Sequence, residues 1–349
     1  MMKTLGKILY HPLRLHIRLV CLLYFRKVQF SGRKNIPFGK AVIYACNHQN
    51  ALLDALVIST FSSRYPHFLT RAGVFNNPIV GNFLRGFKML PIYRFRDGLI
   101  NVKRNTDTFE EAMQVLEKEK VVGIFPEGNH SLKYGVRSLQ RGLPRIAFGM
   151  SERNGFKKDV HIVPIGIYYE DHFSSQGRML VSVGEPFSLL PYTSLYQENP
   201  KKGHEAVLSE LQGRMKKLTL HFPEDADYES LKEEFDRKRV YKNDLLEQLK
   251  ADQKLVDALH QGKTYAEKSE KVSPLLRSYW NFRKVFKTVT YPAHRLVNGI
   301  VASKVKDPHF ISSIRFVLTT FLYPVYFLLL AAVIWIIGTY VPLLFIAHL

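Results

Sequence analysis

Val42-Ile43-Tyr44-Ala45-Cys46-Asn47-His48-Gln49-Asn50-Ala51-Leu52-Leu53-Asp54 passes from a continuous apolar run through a polar turn into the start of an apolar helix. An apolar run this short, bounded by turn residues, reads as a strand buried on both faces. Five similar runs follow at 68–71, 89–93, 121–125, 160–167 and 179–183. Helical spacing of apolar residues lies between them at 51–62, 78–86, 107–119, 139–152 and 202–221. Alternation of this kind predicts an α/β fold, a mostly parallel sheet flanked by helices.

In such sheets ligands bind beyond the carboxyl ends of the strands, which is where His48 falls. An Asp six positions later cannot share a helical face with it. With His48 in the turn and Asp54 in the early helix, the carboxylate can fold back onto the imidazole and orient it as a base. The bland alternative is a loop His and an unrelated Asp. A second strand, 121–125, ends in Pro126-Glu127-Gly128-Asn129-His130-Ser131, followed by Lys133, Arg137 and Arg141. The run Leu90-Pro91-Ile92-Tyr93-Arg94 delivers an arginine whose planar fork suits a phosphate.

The chain has 349 residues and a formal net charge of +20. Its expected partners are anionic, and the basicity is concentrated at the front: residues 1–100 hold fifteen Lys and Arg against two acids, Asp54 and Asp97. Two cysteines, Cys21 and Cys46, exclude a disulfide framework and a Cys-based zinc pattern, and no metal site is expected. The first residues lack the uninterrupted apolar core and the cleavage site of a signal peptide. Instead Lys3, Lys7, His11, Arg14 and Arg18 form one stripe of an otherwise apolar helix, which predicts a helix at an anionic membrane surface, bent at Pro12. From Phe316 to Leu349 no charged residue occurs. As helix, those 34 residues span roughly 50 Å against a hydrocarbon core of about 30 Å. Lys304, Lys306 and Arg315 precede this stretch and place the preceding chain on the cytoplasmic side, at the inner membrane if the source is bacterial. The expected division is an amphipathic helix at 1–26, a catalytic domain at 27–222, a charged helical region at 223–310 and a transmembrane segment at 311–349.

Taken in order, Asn47-His48 through Asp54, Pro91 to Arg94, Phe125-Pro126-Glu127-Gly128 and Val163-Pro164-Ile165-Gly166 resemble the four blocks of the glycerolipid acyltransferase superfamily, the 1-acylglycerol-3-phosphate and glycerol-3-phosphate acyltransferases. The resemblance covers roughly residues 27–183. It implies a glycerol-3-phosphate acyltransferase-like fold and direct transfer of a fatty acyl group from acyl-CoA or acyl carrier protein, with no other cofactor. His48 is then the general base and Asp54 its support. Arg94, Glu127, Gly128, Asn129, His130 and Ser131 bind the phosphorylated glycerol acceptor, and Pro164 marks the acyl-donor side. Two departures stand out. Five residues separate His48 from Asp54 where the family usually has four, and Asn129-His130-Ser131 stands where its common bacterial form has Thr-Arg-Ser. Phosphate binding at His130 is then pH-dependent or passes to Arg94.

The expected function is O-acyl transfer to lysophosphatidic acid or glycerol-3-phosphate, with a glycerophospholipid acceptor and anionic membrane lipids as partners. The alternatives are transfer to another lysolipid or an amino-lipid, or an inactive membrane-tethered lipid-binding scaffold of the same fold. No nucleic-acid motif accompanies the positive charge, so nucleic acid is not an expected partner.

Overall fold

The computed structural model describes residues 2–93, 105–174, 176–272 and 274–347. Arg94 lies outside the described residues. The chain divides into two compact units, Met1–Lys271 and Val272–Leu349. The division falls inside the 223–310 stretch, so the charged helices up to residue 260 belong to the first unit.

That unit runs α1 (Met2–Tyr24), β1 (Lys27–Ser31), β2 (Ala41–Cys46), α2 (Ala51–Phe61), β3 (Pro66–Arg71), α3 (Pro78–Gly86), β4 (Met89–Ile92), α4 (Asn105–Glu117), β5 (Val121–Ile124), α5 (Gly142–Arg153), β6 (Val160–Tyr169), β7 (Arg178–Val183), β8 (Phe187–Ser188), α6 (Thr193–Glu198), α7 (Pro200–Lys216), α8 (Tyr228–Lys238) and α9 (Leu245–His260). The strands form one sheet in the order β1-β7-β6-β2-β5-β3-β4, with β8 also paired to β6. Pairings are parallel except those of β6 with β7 and β8. Every residue of β2 is buried, as its unbroken apolar run requires. Its alternate residues Ala41, Ile43 and Ala45 join the core beneath α4, α5 and α7. From the other face, the Tyr44 hydroxyl meets Ser62 Oγ at 2.9 Å, just beyond α2.

The six strands expected from the sequence are present. Strand β1 was not anticipated: its five residues are only half-buried at the sheet edge and carry no continuous apolar signal.

The N-terminal segment is helical through Pro12, as expected of an amphipathic helix, but one member of its basic stripe, Arg14, turns inward. Arg14 donates from Nε to the Ser59 carbonyl at 3.0 Å and from its fork to the Ser62 carbonyl, and lies over the Tyr65 ring at 4.6 Å. Arg18 lies 5.3 Å from the Phe61 ring centroid. The last carbonyls of α2 lack intrahelical partners and carry the negative end of its dipole, so they draw the arginine inward. Tyr10, Ile17, Val20, Cys21 and Tyr24 are buried, whereas His11, Leu15, Arg18, Leu19, Leu22 and Leu23 are exposed.

The second unit comprises α10 (Pro274–Val289), α11 (Tyr291–Lys304) and α12 (Ile311–Ala347). Pro324, Gly338 and Pro342 all lie within the one continuous helix α12.

Gly166 in β6 lets the chain after α7 pass directly over the sheet, since an added Cβ would lie 2.1 Å from the Leu218 carbonyl oxygen. Gly166→Ala is expected to cost about 2 kcal/mol or more, because backbone rather than a flexible side chain must yield. A fall of several degrees in Tm by thermal unfolding checks this.

Candidate active site

Strands β2 and β5 are parallel neighbours, with Tyr44 beside Gly123 and Ala45 beside Ile124. The loops that follow them therefore leave the same edge of the sheet, one carrying His48 and the other Glu127. Beyond the last residue of β2, Asn47 continues the pairing with its side chain. Its amide donates to the Ile167 carbonyl at 2.9 Å, and its carbonyl oxygen accepts from Ile167 N–H at 2.6 Å. The Ser131 N–H donates to the His48 carbonyl at 3.0 Å, tying the two loops together.

Asp54 occupies the first turn of α2 and is fully buried. Its Oδ2 accepts from the backbone N–H of Gln49 at 2.9 Å and of Asn50 at 2.8 Å, and lies 2.9 Å from His48 Nδ1. Its Oδ1 accepts from the Tyr169 hydroxyl at 2.7 Å. The carboxylate thus caps the free N–H groups at the helix start and holds the imidazole at once. Between the two residues the backbone turns through Ala51 at φ 39°, in the left-handed region, so the long spacer is compatible with the pair.

The His48 side chain is 12% exposed. One face stacks on Phe125, with centroids 4.0 Å apart and planes 15° from parallel, and Phe125 stacks on Phe68 at 5.3 Å. Gly123 makes room for this column, since an added Cβ would lie 2.5 Å from the Phe68 ring. The His130 ring stands nearly perpendicular to His48 at 5.5 Å.

Gly128 turns the second loop at φ 76°, where a side chain would be strained. Arg137 grips Glu127 Oε2 through Nε at 3.0 Å and through Nη2, and also bonds the Asn129 side-chain and backbone oxygens. Burial pushes the Glu127 carboxyl up and Arg137 pulls it partly back. Glu127 Oε1 is buried and has no hydrogen-bond partner among the described residues, so one acceptor is open to a donor from outside the chain. Arg137, expected only as a following basic residue, thus holds the Glu127 loop. Arg141 pairs instead with Glu205 at 3.0 Å. Pro164 lies inside β6 opposite Ala45 and is buried. An added Cβ on Gly184 would lie 3.0 Å from its ring. The Cys46 thiol is fully buried and pushed well up by that burial, which argues against a nucleophilic role. Among the described residues no group of three or more His, Cys, Asp or Glu is placed to hold a metal ion.

Sequence reasoning missed Tyr169 and Asn47 as supports. Both act across the sheet, over separations of 115 and 120 residues, and no local pattern announces such contacts. Tyr169→Phe removes one donor from a buried carboxylate. It is expected to cost about 1.5–3 kcal/mol, read as a drop in unfolding free energy.

Burial also holds two imidazoles neutral: His172, whose ring is 5.6 Å from that of Tyr169, and His67 at the start of β3 are each pushed down to about 4. A histidine whose folded pKa lies below its unfolded value leaves stability intact above about pH 6.5 and withdraws it as the pH falls toward 4. The loss is at most about 1.4 kcal/mol per pH unit for each. Unfolding measured between pH 7 and 4 should show this slope, and His172→Gln should remove about half of it.

Comparison with known proteins bears on the domain that carries these residues. The Acyltransferase family profile matches residues 27–168. A chloroplastic 1-acyl-sn-glycerol-3-phosphate acyltransferase of Arabidopsis thaliana is 27% identical over 142 residues, 40% of this chain and 36% of that protein. Glycerol-3-phosphate O-acyltransferase 2 of Saccharomyces cerevisiae is 27% identical over 128 residues, 36% of this chain and 17% of that protein. A 1-acyl-sn-glycerol-3-phosphate acyltransferase of Bacillus subtilis is 24% identical over 193 residues, 55% of this chain and 87% of that protein. The chain thus spans little more than a third of the plant relative and less than a fifth of the yeast one. The crystal structure of the 1-acyl-sn-glycerophosphate acyltransferase PlsC from Thermotoga maritima is 19% identical, with a TM-score of 0.42, covering 60% of this chain and 82% of that one. Residues 27–168 thus match the Acyltransferase family profile, and the similar proteins are named 1-acyl-sn-glycerol-3-phosphate and glycerol-3-phosphate acyltransferases, which supports a place in the glycerolipid acyltransferase superfamily.

Proposed function

We propose that this protein is an O-acyltransferase of phospholipid synthesis, moving a fatty acyl group from an acyl thioester to a hydroxyl of lysophosphatidic acid or glycerol-3-phosphate. The observation that carries the reading is the His48–Asp54 pair. Asp54 commits His48 Nδ1, which leaves Nε2 to take a proton on a ring that is not wholly buried.

In the reaction His48 Nε2 removes the proton from the acceptor hydroxyl as its oxygen attacks the thioester carbonyl carbon. The tetrahedral adduct collapses, the carbon–sulfur bond breaks, and the departing sulfur takes the proton back from His48. Asp54 stabilises the imidazolium between those steps, and no acyl-enzyme forms. Glu127 Oε1 accepts a hydrogen bond from the acceptor's glycerol, and Arg137 fixes the carboxylate for that purpose. Holding the acceptor in line with the base contributes chiefly orientation, which accounts for several kcal/mol of barrier. Arg94 and His130 serve the acceptor's phosphate. The donor is a long-chain acyl thioester on CoA or acyl carrier protein. The acyltransferase unit faces the cytoplasm, the side that Lys304, Lys306 and Arg315 favour.

Purified protein offered glycerol-3-phosphate and lysophosphatidic acid in parallel, with each donor, should transfer the acyl group to one of them. His48→Ala should lower kcat about a thousandfold or more, and unchanged transfer would sink the mechanism. Glu127→Gln should act mainly on the KM for the acceptor. Gly123→Ala, which touches no substrate, should reduce kcat about tenfold by displacing Phe68 and, through Phe125, the base.

A further inference from the structure

In the second unit, α11 lies antiparallel along the start of α12. Arg315 Nε donates to Asn298 Oδ1 at 3.1 Å, the Tyr323 hydroxyl lies 3.5 Å from His294 Nδ1, and the Tyr326 hydroxyl donates to the Val289 carbonyl at 2.6 Å. The rings of Phe286 and Phe327 are 5.9 Å apart. The bend between α10 and α11 therefore sits level with Tyr326 and Phe327, eleven and twelve residues past Arg315. That is about 16–18 Å along the helix.

Two observations give this level a meaning. The charge-free part of α12 is longer than a bilayer needs by roughly 20 Å, and the stretch beside α11 uses up about that excess. Ser312, Ser313, Thr319 and Thr320 are buried there, whereas from residue 328 to 339 the side chains are exposed on nearly all sides, including Leu328, Leu329, Val333, Ile334 and Trp335. From Phe327 to Ala347 the helix measures about 30 Å, one hydrocarbon core. The bend itself presents Lys284, Lys287, Tyr291 and Arg295 outward, cations and an aromatic ring of the kind found at the headgroup level.

We propose that the bent pair α10–α11 is a collar that sets the depth of the membrane span. The bilayer begins at Tyr326–Phe327 and not at Phe316, and Lys284, Lys287 and Arg295 bind the phosphates of anionic lipids at that boundary. The inference rests on reading α12 as a span.

The test is cysteine accessibility in the full chain, reconstituted in vesicles of mixed neutral and anionic phospholipid. A membrane-impermeant maleimide is supplied on both sides, and labelling is normalised to that after denaturation. The parent, whose Cys21 and Cys46 are buried, supplies the background. Phe321→Cys should label as fully as Ser303→Cys, while Leu329→Cys and Val333→Cys stay at background. Protection of Phe321→Cys to the level of Val333→Cys would overturn the collar and leave the span intact. Full labelling at Leu329→Cys and Val333→Cys would instead remove the span itself. Protection of Phe321→Cys that rises with the protein-to-lipid ratio would mean that a second copy covers the bent pair, which also overturns the proposal. Combining Lys284→Gln, Lys287→Gln and Arg295→Gln should let the helix sink and lower labelling of Phe321→Cys at least twofold. Unchanged labelling would refute the role of the cations.

Discussion

A carboxylate taken wholly out of water has to be met by donors on all sides, and the geometry of this catalytic edge follows from how Asp54 is met. Two backbone N–H groups, one imidazole nitrogen and one phenol surround it. Removing one hydrogen-bond donor from a buried carboxylate costs about 1.5–3 kcal/mol, so the loop, the start of α2 and the end of β6 are held in mutual register. The same contacts fix the tautomer and direction of the His48 ring, as the proposed role of a base requires.

The second loop is organised on a different principle. Arg137 takes one oxygen of Glu127 and both oxygens of Asn129, leaving the other carboxylate oxygen without a partner among the described residues. A buried acceptor left open is costly until a donor reaches it. One loop is satisfied by its own residues, and the other keeps an acceptor open.

Much of this was legible in advance because the signals were local. Apolar runs such as Val42 to Cys46 mark buried strands, and parallel strands bring their carboxyl ends to one edge, so His48 and Glu127 could be placed on the same side before any distance was known. What stayed hidden lies across the sheet. Tyr169 reads as one more apolar residue at the end of a strand, and Asn47 as a turn former. The inward turn of Arg14 stayed hidden for a related reason: helical spacing shows that Arg14 and Arg18 share a face, but not that the uncapped carbonyls of α2 lie within reach of Arg14. Strand β1 escaped notice because an edge strand need not be apolar on both sides.

Consecutive residues of a strand point to opposite faces, and at the end of β6 this makes Tyr168 and Tyr169 back-to-back anchors. Tyr169 holds Asp54, while the hydroxyl of Tyr168 enters a buried set of charges in which Arg239 bonds Asp252 and the neighbouring Glu170 bonds Arg178. The acidic helices beyond residue 223 therefore form the far wall of the strand that supports the base, although they carry none of the family's motifs. An excised catalytic fragment ending where the motifs and their sheet end would keep every reacting group. It would also leave the Tyr168 hydroxyl without Asp252 and Arg239, and take the Lys242 carbonyl and Gln248 from Arg178. The shortest piece with a finished β6 has to run through α9, and its boundary is set by charge neutralisation inside the protein, well past the last of the motif residues.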